Sequence, residues 1–205
     1  MKKGPLIGVV AAVLFLIILV PSCSYNGLVH KAQNVDQSWA QVQNVYQRRA
    51  DLIPNLVSTV SGAANFEKST LMEVTNARAS VGKVQINAGS APADPATLAA
   101  FEQAQGQLGS ALSRLLVVAE RYPELKATAN FRDLQAQLEG TENRISVERG
   151  RFNEAVGTYN TSIKSFPNML YAGKMGFAPK PYFAATSEAQ SVPKVNFDSG
   201  TKPAK

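Results

Sequence analysis

Few residues in this chain have side chains that could do catalytic or metal chemistry. The 205 residues include one histidine, His30, and one cysteine, Cys23. A carboxylate metal site in a helical bundle typically uses a Glu-x-x-His pair, and the residue three before His30 is Gly27. Phosphate-binding loops, serine nucleophile elbows and zinc-ligand spacings do not occur in the sequence. We therefore expect a protein that is not an enzyme and that holds neither a metal nor a cofactor, with His30 facing solvent.

Two groups of charged and polar residues on the predicted first and last helices are the other candidates: Arg48, Arg49 and Asp51, and Glu142, Asn143 and Arg144. They could form a buried polar network that fixes helix register, or a surface on which a partner protein docks. We favour the structural interpretation, because charged helix residues without a nearby His or Cys make poor acid–base catalysts. Arg49 lies on an apolar seam, where it is either a buried ion-pair partner or extends its charged end to solvent. We expect it to extend to solvent.

Cys23 follows an apolar segment and is a candidate for lipidation. Residues 6–20 lack any polar side chain, and Val20-Pro21-Ser22-Cys23 resembles a bacterial lipobox. Pro21 departs from that pattern, which usually has a small or β-branched residue there. As a helix the apolar run extends about 22 Å, short of the roughly 30 Å hydrocarbon core, so its length favours a cleaved signal. The alternative is an uncleaved single-pass anchor.

The position of the first basic residues indicates the orientation. Lys2 and Lys3 precede the apolar run, so the positive-inside rule places the body outside the cytoplasm, in the periplasm or at the cell surface. We expect residues 1–22 to be a signal peptide or transmembrane anchor, with a lipoprotein favoured over a single-pass protein. The net charge of +6 is spread along the chain, which does not indicate binding to nucleic acid.

The remainder of the chain has the apolar periodicity of long helices. From Tyr25 to Val60 apolar or aromatic residues recur every third or fourth position, with Arg49 as the exception, as is typical of a bundle or coiled-coil seam. Pro54 lies inside this helix and cannot bond the carbonyl of Ala50, which predicts a kink. Three further helices are predicted. One covers about 65–82, one covers about 94–122 and starts at an Asp94-Pro95 cap, and the last begins within 123–130 and continues to about Ile163.

Four amphipathic helices joined by turns predict an all-α fold, a long antiparallel four-helix bundle with a kinked first helix. We place the bundle at residues 23–167. After Pro167, glycines and prolines exclude long helices, while aromatic residues supply contacts that a disordered tail lacks. Residues 168–205 should therefore form an extended tail, lying along the bundle to about Phe183, with the last residues loose.

Short motifs in a constant order over nearly the whole chain are similar to those of the LemA family. They include Tyr25-Asn26-Gly27-Leu28-Val29, Asp51-Leu52-Ile53-Pro54-Asn55, Tyr122-Pro123-Glu124-Leu125 and Glu139-Gly140-Thr141-Glu142-Asn143-Arg144-Ile145. The resemblance implies a membrane-anchored bacterial bundle that is not an enzyme, with interaction or scaffold proteins and magnetosome-membrane proteins among its relatives. Family descriptions place the body in the cytoplasm, which the position of Lys2 and Lys3 argues against. Cys23 departs from relatives with a plain membrane helix.

We therefore expect a non-enzymatic interaction or scaffold module of the bacterial envelope. It would contact membrane lipid through its N-terminus and other envelope proteins through its body. The alternative is a membrane-organising or lipid-binding helical bundle, whose attraction to anionic lipid would weaken with salt. A cell-wall hydrolase is less consistent with the sequence, since the acidic residues lie mostly at exposed helix positions. The oligomeric state stays open, because long seams can close within one chain or between chains.

Overall fold

A computed structural model describes residues 4–63, 66–84 and 89–184, with side chains from residue 24 onward. The described residues contain helices and no strand, which confirms the all-α class for these ranges. The α-helices are α1 (Gly4–Ser61), α2 (Lys68–Lys83), α3 (Pro95–Ala119), α4 (Pro123–Ala127) and α5 (Ala129–Lys164). Two 3₁₀ turns follow, Asn168–Leu170 and Gly173–Met175. The loose end expected for the tail lies outside the described residues.

Helix α1 passes through Pro54 without a break. Proline has no N–H to donate to the carbonyl four residues earlier, which here belongs to Ala50. That carbonyl instead accepts a hydrogen bond from Nε of Arg78, on α2, at 3.0 Å. The second helix thus supplies the donor that the proline lacks. The kink predicted at this position stays a prediction.

Neighbouring long helices run in opposite directions. Arg49 of α1 pairs with Glu142 of α5, and Lys31, nearer the start of α1, bonds Ser162, nearer the end of α5. Helices α2 and α3 are joined in the same antiparallel sense by the ion pairs Glu73–Arg114 and Glu67–Arg121.

Local capping sets where α3 begins. The Asp94 carboxylate accepts hydrogen bonds from the N–H and the hydroxyl of Thr97 at 2.7 and 2.6 Å. Pro95 occupies the first helical position, where its missing N–H leaves nothing unsatisfied. The start predicted from the Asp-Pro pair is confirmed. Because α3 carries residues that line both halves of the interior, this start sets their register.

The interior consists of two apolar clusters, one on each side of Arg49. The aromatic core surrounds the N-terminal half of the described α1 and contains Trp39, Tyr46, Phe101, Phe152, Tyr159 and Phe183, with aliphatic residues between them. The aliphatic core surrounds the C-terminal half and contains Leu52, Ile53, Leu56, Val60, Val74, Leu108, Leu112, Leu115, Leu125, Leu134 and Leu138, with Phe131. The aromatic core lies at the end where α1 leaves the apolar N-terminal run.

Candidate functional site

Arg49 lies between the two cores with its guanidinium group in the interior. The residue is 4% exposed, so the expectation that it extends to solvent was wrong and the buried alternative applies. Its Nη1 donates to Glu142 Oε2 at 2.9 Å, and its Nη2 donates to the Gln105 side-chain oxygen at 2.5 Å and backbone oxygen at 3.2 Å. Tyr46 places its ring 5.1 Å from the guanidinium carbon. A buried arginine is tolerable because acceptors from two other helices reach it.

The structure brings together two of the six polar residues singled out in the sequence, Arg49 and Glu142. Arg48, Asn143 and Arg144 are exposed. Asp51 is also exposed and accepts a hydrogen bond from Gln47 at 2.7 Å. The sequence analysis missed Gln105, although its polar side chain at a seam position of α3 was the available signal.

The buried layer around Arg49 joins α1, α3 and α5 through hydrogen bonds. Burial raises the pKa of the Tyr46 hydroxyl, an effect that the charges of Arg149 and Arg49 oppose. Tyr46 therefore stays protonated at neutral pH. Among the described residues, no group of three or more His, Cys, Asp or Glu side chains is placed to hold a metal ion. What the layer can do is hold α1, α3 and α5 in one register, because a shift of any helix would leave a buried charge unpaired.

A second polar arrangement holds the end of the described chain, which we call the strap (residues 177–184). The side-chain oxygen of Asn160 accepts from the Lys180 N–H at 2.9 Å, and its amide nitrogen donates to the Lys180 carbonyl at 2.8 Å. Asn153 makes the same two bonds to the main chain of Phe183, at 2.9 and 3.1 Å. Each asparagine thus pairs with one residue of the strap as a neighbouring β-strand would.

The spacing of the two asparagines matches the repeat of an extended chain. Asn153 and Asn160 are seven residues apart on α5, a rise of about 10.5 Å. Lys180 and Phe183 are three residues apart in the strap, about 10 Å when extended. The carboxamides therefore contact the main chain in register, and these bonds do not depend on side-chain identity. The sequence analysis missed this role, although two asparagines one heptad apart on a helix were its visible signal.

Side chains give the strap contacts a preference beyond the main chain. Phe183 is buried, with its ring 5.3 Å from that of Phe152 and 5.9 Å from that of Trp39. Lys180 Nζ lies 2.7 Å from Asp36 Oδ1. This site therefore favours a segment in which a basic residue is followed, three positions later, by an aromatic residue.

Two further groups hold the strap in place. The Tyr159 hydroxyl donates to the Ala178 carbonyl at 3.0 Å; burial and, secondarily, the Asp36 charge raise its pKa, so it remains a donor at neutral pH. Gly176, just before the strap, has a φ of 85°, a conformation that side-chain-bearing residues rarely adopt. This glycine lets the chain leave the 3₁₀ turn and enter the extended path.

At the opposite end of the molecule, an open pocket of about 960 Å³ lies where α1 ends and α5 begins. Its walls include Ser58, Thr59, Arg121, Thr128 and Asn130. The lining also includes Glu124, so the pocket has acidic, basic, hydroxyl and amide groups that can form hydrogen bonds.

The membrane-related residues of the sequence analysis fall mostly outside the described side chains. These include Cys23 and the apolar run 6–20. Among the residues whose side chains the structure describes, no helix is both long and apolar enough to cross a bilayer. His30 is exposed, as expected.

Comparison with known proteins finds chains of similar sequence. The model of the LemA family matches residues 38–197, a range that begins in α1 and includes the strap. Magnetosome protein MamQ of Magnetospirillum gryphiswaldense is 27% identical over 203 aligned residues, covering 89% of this chain and 74% of the relative. Magnetosome protein MamQ 2 of Paramagnetospirillum magneticum is also 27% identical, with 88% and 73% covered. Protein LemA of Metamycoplasma hominis is 22% identical over 174 residues, with 85% and 73% covered.

Proposed function

Since this chain belongs to the LemA family, we propose that it is a membrane-anchored, non-enzymatic interaction or scaffold module of the bacterial envelope. The observation that carries this proposal is the continuity of α1. One helix, Gly4–Ser61, contains both the apolar run 6–20 and Cys23 and then lines both cores, so the body continues as helix from either kind of anchor. A body joined to its membrane segment by continuous helix is held at a defined distance from the bilayer. On this proposal the body is the four-helix bundle expected from the sequence.

The anchor on this proposal is a lipidated Cys23, in preference to an uncleaved single-pass helix, with the body in the periplasm or at the cell surface. The test is the intact mass of the protein extracted from membranes of its own host. A mass that starts at Cys23 and includes acyl groups supports the lipoprotein, and a mass that starts at Met1 supports the single-pass helix. Protease accessibility in spheroplasts then tests the orientation of the body. Recovery of the full chain from the soluble fraction would contradict anchoring altogether.

The strap surface supports the interaction part of the proposal. Asn153 and Asn160 bond main-chain atoms, which other extended segments also present. An extended segment of an envelope protein would be bound in the same way if it displaced the strap and its side chains satisfied Asp36 and the pocket of Phe183.

Site-specific photo-crosslinking in host membranes tests this role. A photoreactive residue at Tyr182, an exposed position of the strap, should give discrete crosslinked species that depend on irradiation. The same residue at Val117, exposed on α3 near the opposite end of the bundle, is the matched control. An identical pattern at the two positions would contradict docking at the strap, and no irradiation-dependent species at either would contradict a scaffold.

A second candidate function is a membrane-organising or lipid-binding bundle. The observation that favours it is a set of exposed apolar side chains just after α5, close to Tyr25 of α1. The two functions are compatible, because one end of the bundle can contact lipid while its sides contact protein.

A further inference from the structure

The loop that follows α5 exposes an unusual number of large apolar side chains. We call residues 165–176 the end loop. In it Phe166 is 78% exposed, Met169 60%, Leu170 63% and Met175 40%. Single exposed apolar residues are ordinary on a protein surface, but several in one short segment indicate a surface that contacts something apolar.

The end loop lies at the end of the bundle from which α1 extends into the apolar run. Ser162, just before the loop, bonds Lys31 at 2.8 Å, and Phe177, just after it, has its ring 5.6 Å from that of Tyr25. Tyr25 is five residues beyond Val20, the last residue of the apolar run, and five helical residues rise about 7.5 Å. The two ends of the end loop therefore lie beside α1 between Lys31 and Tyr25, and Tyr25, which is exposed, is about 7.5 Å along the helix from the end of the apolar run.

The charge at this end of the molecule also favours contact with a membrane surface. Residues 24–35 and 155–184 contain four lysines and one histidine and no aspartate or glutamate, and one of the four lysines, Lys180, is paired with the neighbouring Asp36. Lys164 and Lys174, which flank Phe166, Met169 and Leu170 in the sequence, are exposed. Bacterial headgroups are often anionic, and lysines beside apolar residues are favoured at membrane interfaces because the ammonium reaches the headgroups while the stem stays apolar.

We propose that the end loop inserts Phe166, Met169 and Leu170 into the headgroup region of the bilayer that holds the N-terminal segment, with Lys164 and Lys174 against anionic headgroups. The inference rests on the membrane anchoring proposed above. Lipid is the fitting occupant because the anchoring segment leaves the bundle at the level of this loop, so the loop faces the bilayer surface. The protein would then have two points of attachment, and the bundle would stand at a fixed tilt.

The test uses the full chain reconstituted in vesicles of phosphatidylethanolamine and phosphatidylglycerol, with and without brominated acyl chains. Leu170→Trp places a reporter in the end loop, and Val117→Trp places one at a residue that is 69% exposed on α3. The native Trp39, which is buried, is present in the parent and sets the baseline. We expect the emission added by Leu170→Trp to be quenched, most strongly by bromines near the headgroups, and that added by Val117→Trp to be unchanged.

A third variant tests the charge. Lys164→Gln/Lys174→Gln in the Leu170→Trp chain should reduce quenching in the anionic vesicles and leave it unchanged in neutral phosphatidylcholine. Equal quenching of this variant and the Leu170→Trp chain in anionic vesicles would overturn the role of the lysines. Circular dichroism and thermal unfolding, unchanged from the parent, show that each variant is folded, as expected for exposed positions.

Flotation separates failure of this inference from failure of anchoring. If the full chain does not float with the vesicles, anchoring is wrong. If it floats and Leu170→Trp is not quenched by brominated lipid, the end-loop inference is overturned while anchoring stands. Protection of that tryptophan from aqueous iodide without quenching by lipid would also overturn it, and would indicate that a second copy of the chain covers the loop.

Discussion

The aromatic core and the aliphatic core differ in what covers them. In the aromatic core, rings pack edge to face, as between Trp39 and Phe101 at 5.3 Å and between Tyr46 and Phe101 at 5.0 Å, and the strap closes this part of the interior. The aliphatic core is closed by helices, with exposed ion pairs such as Arg114–Glu73 between them. Exposed pairs of this kind contribute little. The half with the rings is therefore the half that accepts an extended segment, and the other half is an ordinary helix packing.

Replacing Trp39 should have the largest effect, because it is fully buried and contacts Phe101, Phe152 and Phe183. We expect Trp39→Ala to lower the free energy of unfolding by about 3–5 kcal/mol, as measured by urea unfolding. Hydrogen exchange of the Lys180 and Phe183 amides should accelerate more than the loss of global unfolding free energy alone would produce.

The matched control is Leu56→Ala in the aliphatic core, also fully buried. It should cost about 2–5 kcal/mol while exchange at the strap accelerates only with the global loss. If strap amide exchange, relative to global unfolding, changes equally in Trp39→Ala and Leu56→Ala, then the aromatic core does not hold the strap more than the aliphatic core does.

In the buried layer between the two cores, a single substitution should lower stability more than a double substitution that also removes the charge. Gln105→Leu removes the acceptor 2.5 Å from the buried Arg49 and should cost about 1–3 kcal/mol, since the charge loses a partner that water cannot replace. Arg49→Met/Gln105→Leu removes the charge as well and should recover most of that loss. Chemical denaturation of the single and double variants measures this coupling. A double variant less stable than the single one would contradict a charge-compensation role for Gln105.

Removing one asparagine under the strap should have a local effect, no larger than that of Gln105→Leu. Asn153→Ala leaves the N–H and carbonyl of Phe183 without their partners, and we expect a loss of about 0.5–1.5 kcal/mol per hydrogen bond. Hydrogen exchange should locate the change at the strap, with the amides of the aliphatic core unaffected. Asn143→Ala, at an exposed position of the same helix, is the control and should stay within about 0.5 kcal/mol of the parent.

The smallest effect should come from Asp94, which caps α3 where this helix enters the aromatic core. The hydrogen bonds from Thr97 lower the pKa of the Asp94 carboxyl. Its contribution is therefore present above the ordinary aspartate pKa of about 3.9 and is lost as the pH falls through the lower folded-state pKa. Thermal unfolding of the parent and of Asp94→Ala should differ at neutral pH and converge in acid. A constant difference across that range would show that the charged form has no advantage.

Much of the helical framework follows from local pattern. The seam from Tyr25 to Val60 and the Asp94–Pro95 start are periodicity and capping signals within single helices, and both were readable. The region from Pro123 to Asn130 was expected to begin the last helix; the structure ends α4 at Ala127 and begins α5 at Ala129, because Thr128 is extended and its hydroxyl caps the new helix.

The features that the sequence analysis did not predict depend on contacts between segments that are distant in the sequence. Arg49 was misjudged because only the alignment of α5 and α3 brings Glu142 and Gln105 to it. Asn153 is bonded to the strap through the match between a helical and an extended repeat, which appears only once the strap lies on α5. The side-chain pattern of a sequence predicts each helix separately, whereas these hydrogen bonds form between two different elements.

The unbroken course of α1 has a mechanical consequence. From residue 24 to Ser61 the helix is about 56 Å long, and the bond from Arg78 to the Ala50 carbonyl holds it beside α2 where Pro54 weakens it. Such a helix is a lever, so tilting its membrane end by about 10° would carry the opposite end sideways by about 10 Å. On the proposed anchoring, bending or thickening of the bilayer would therefore displace the far pocket relative to the membrane.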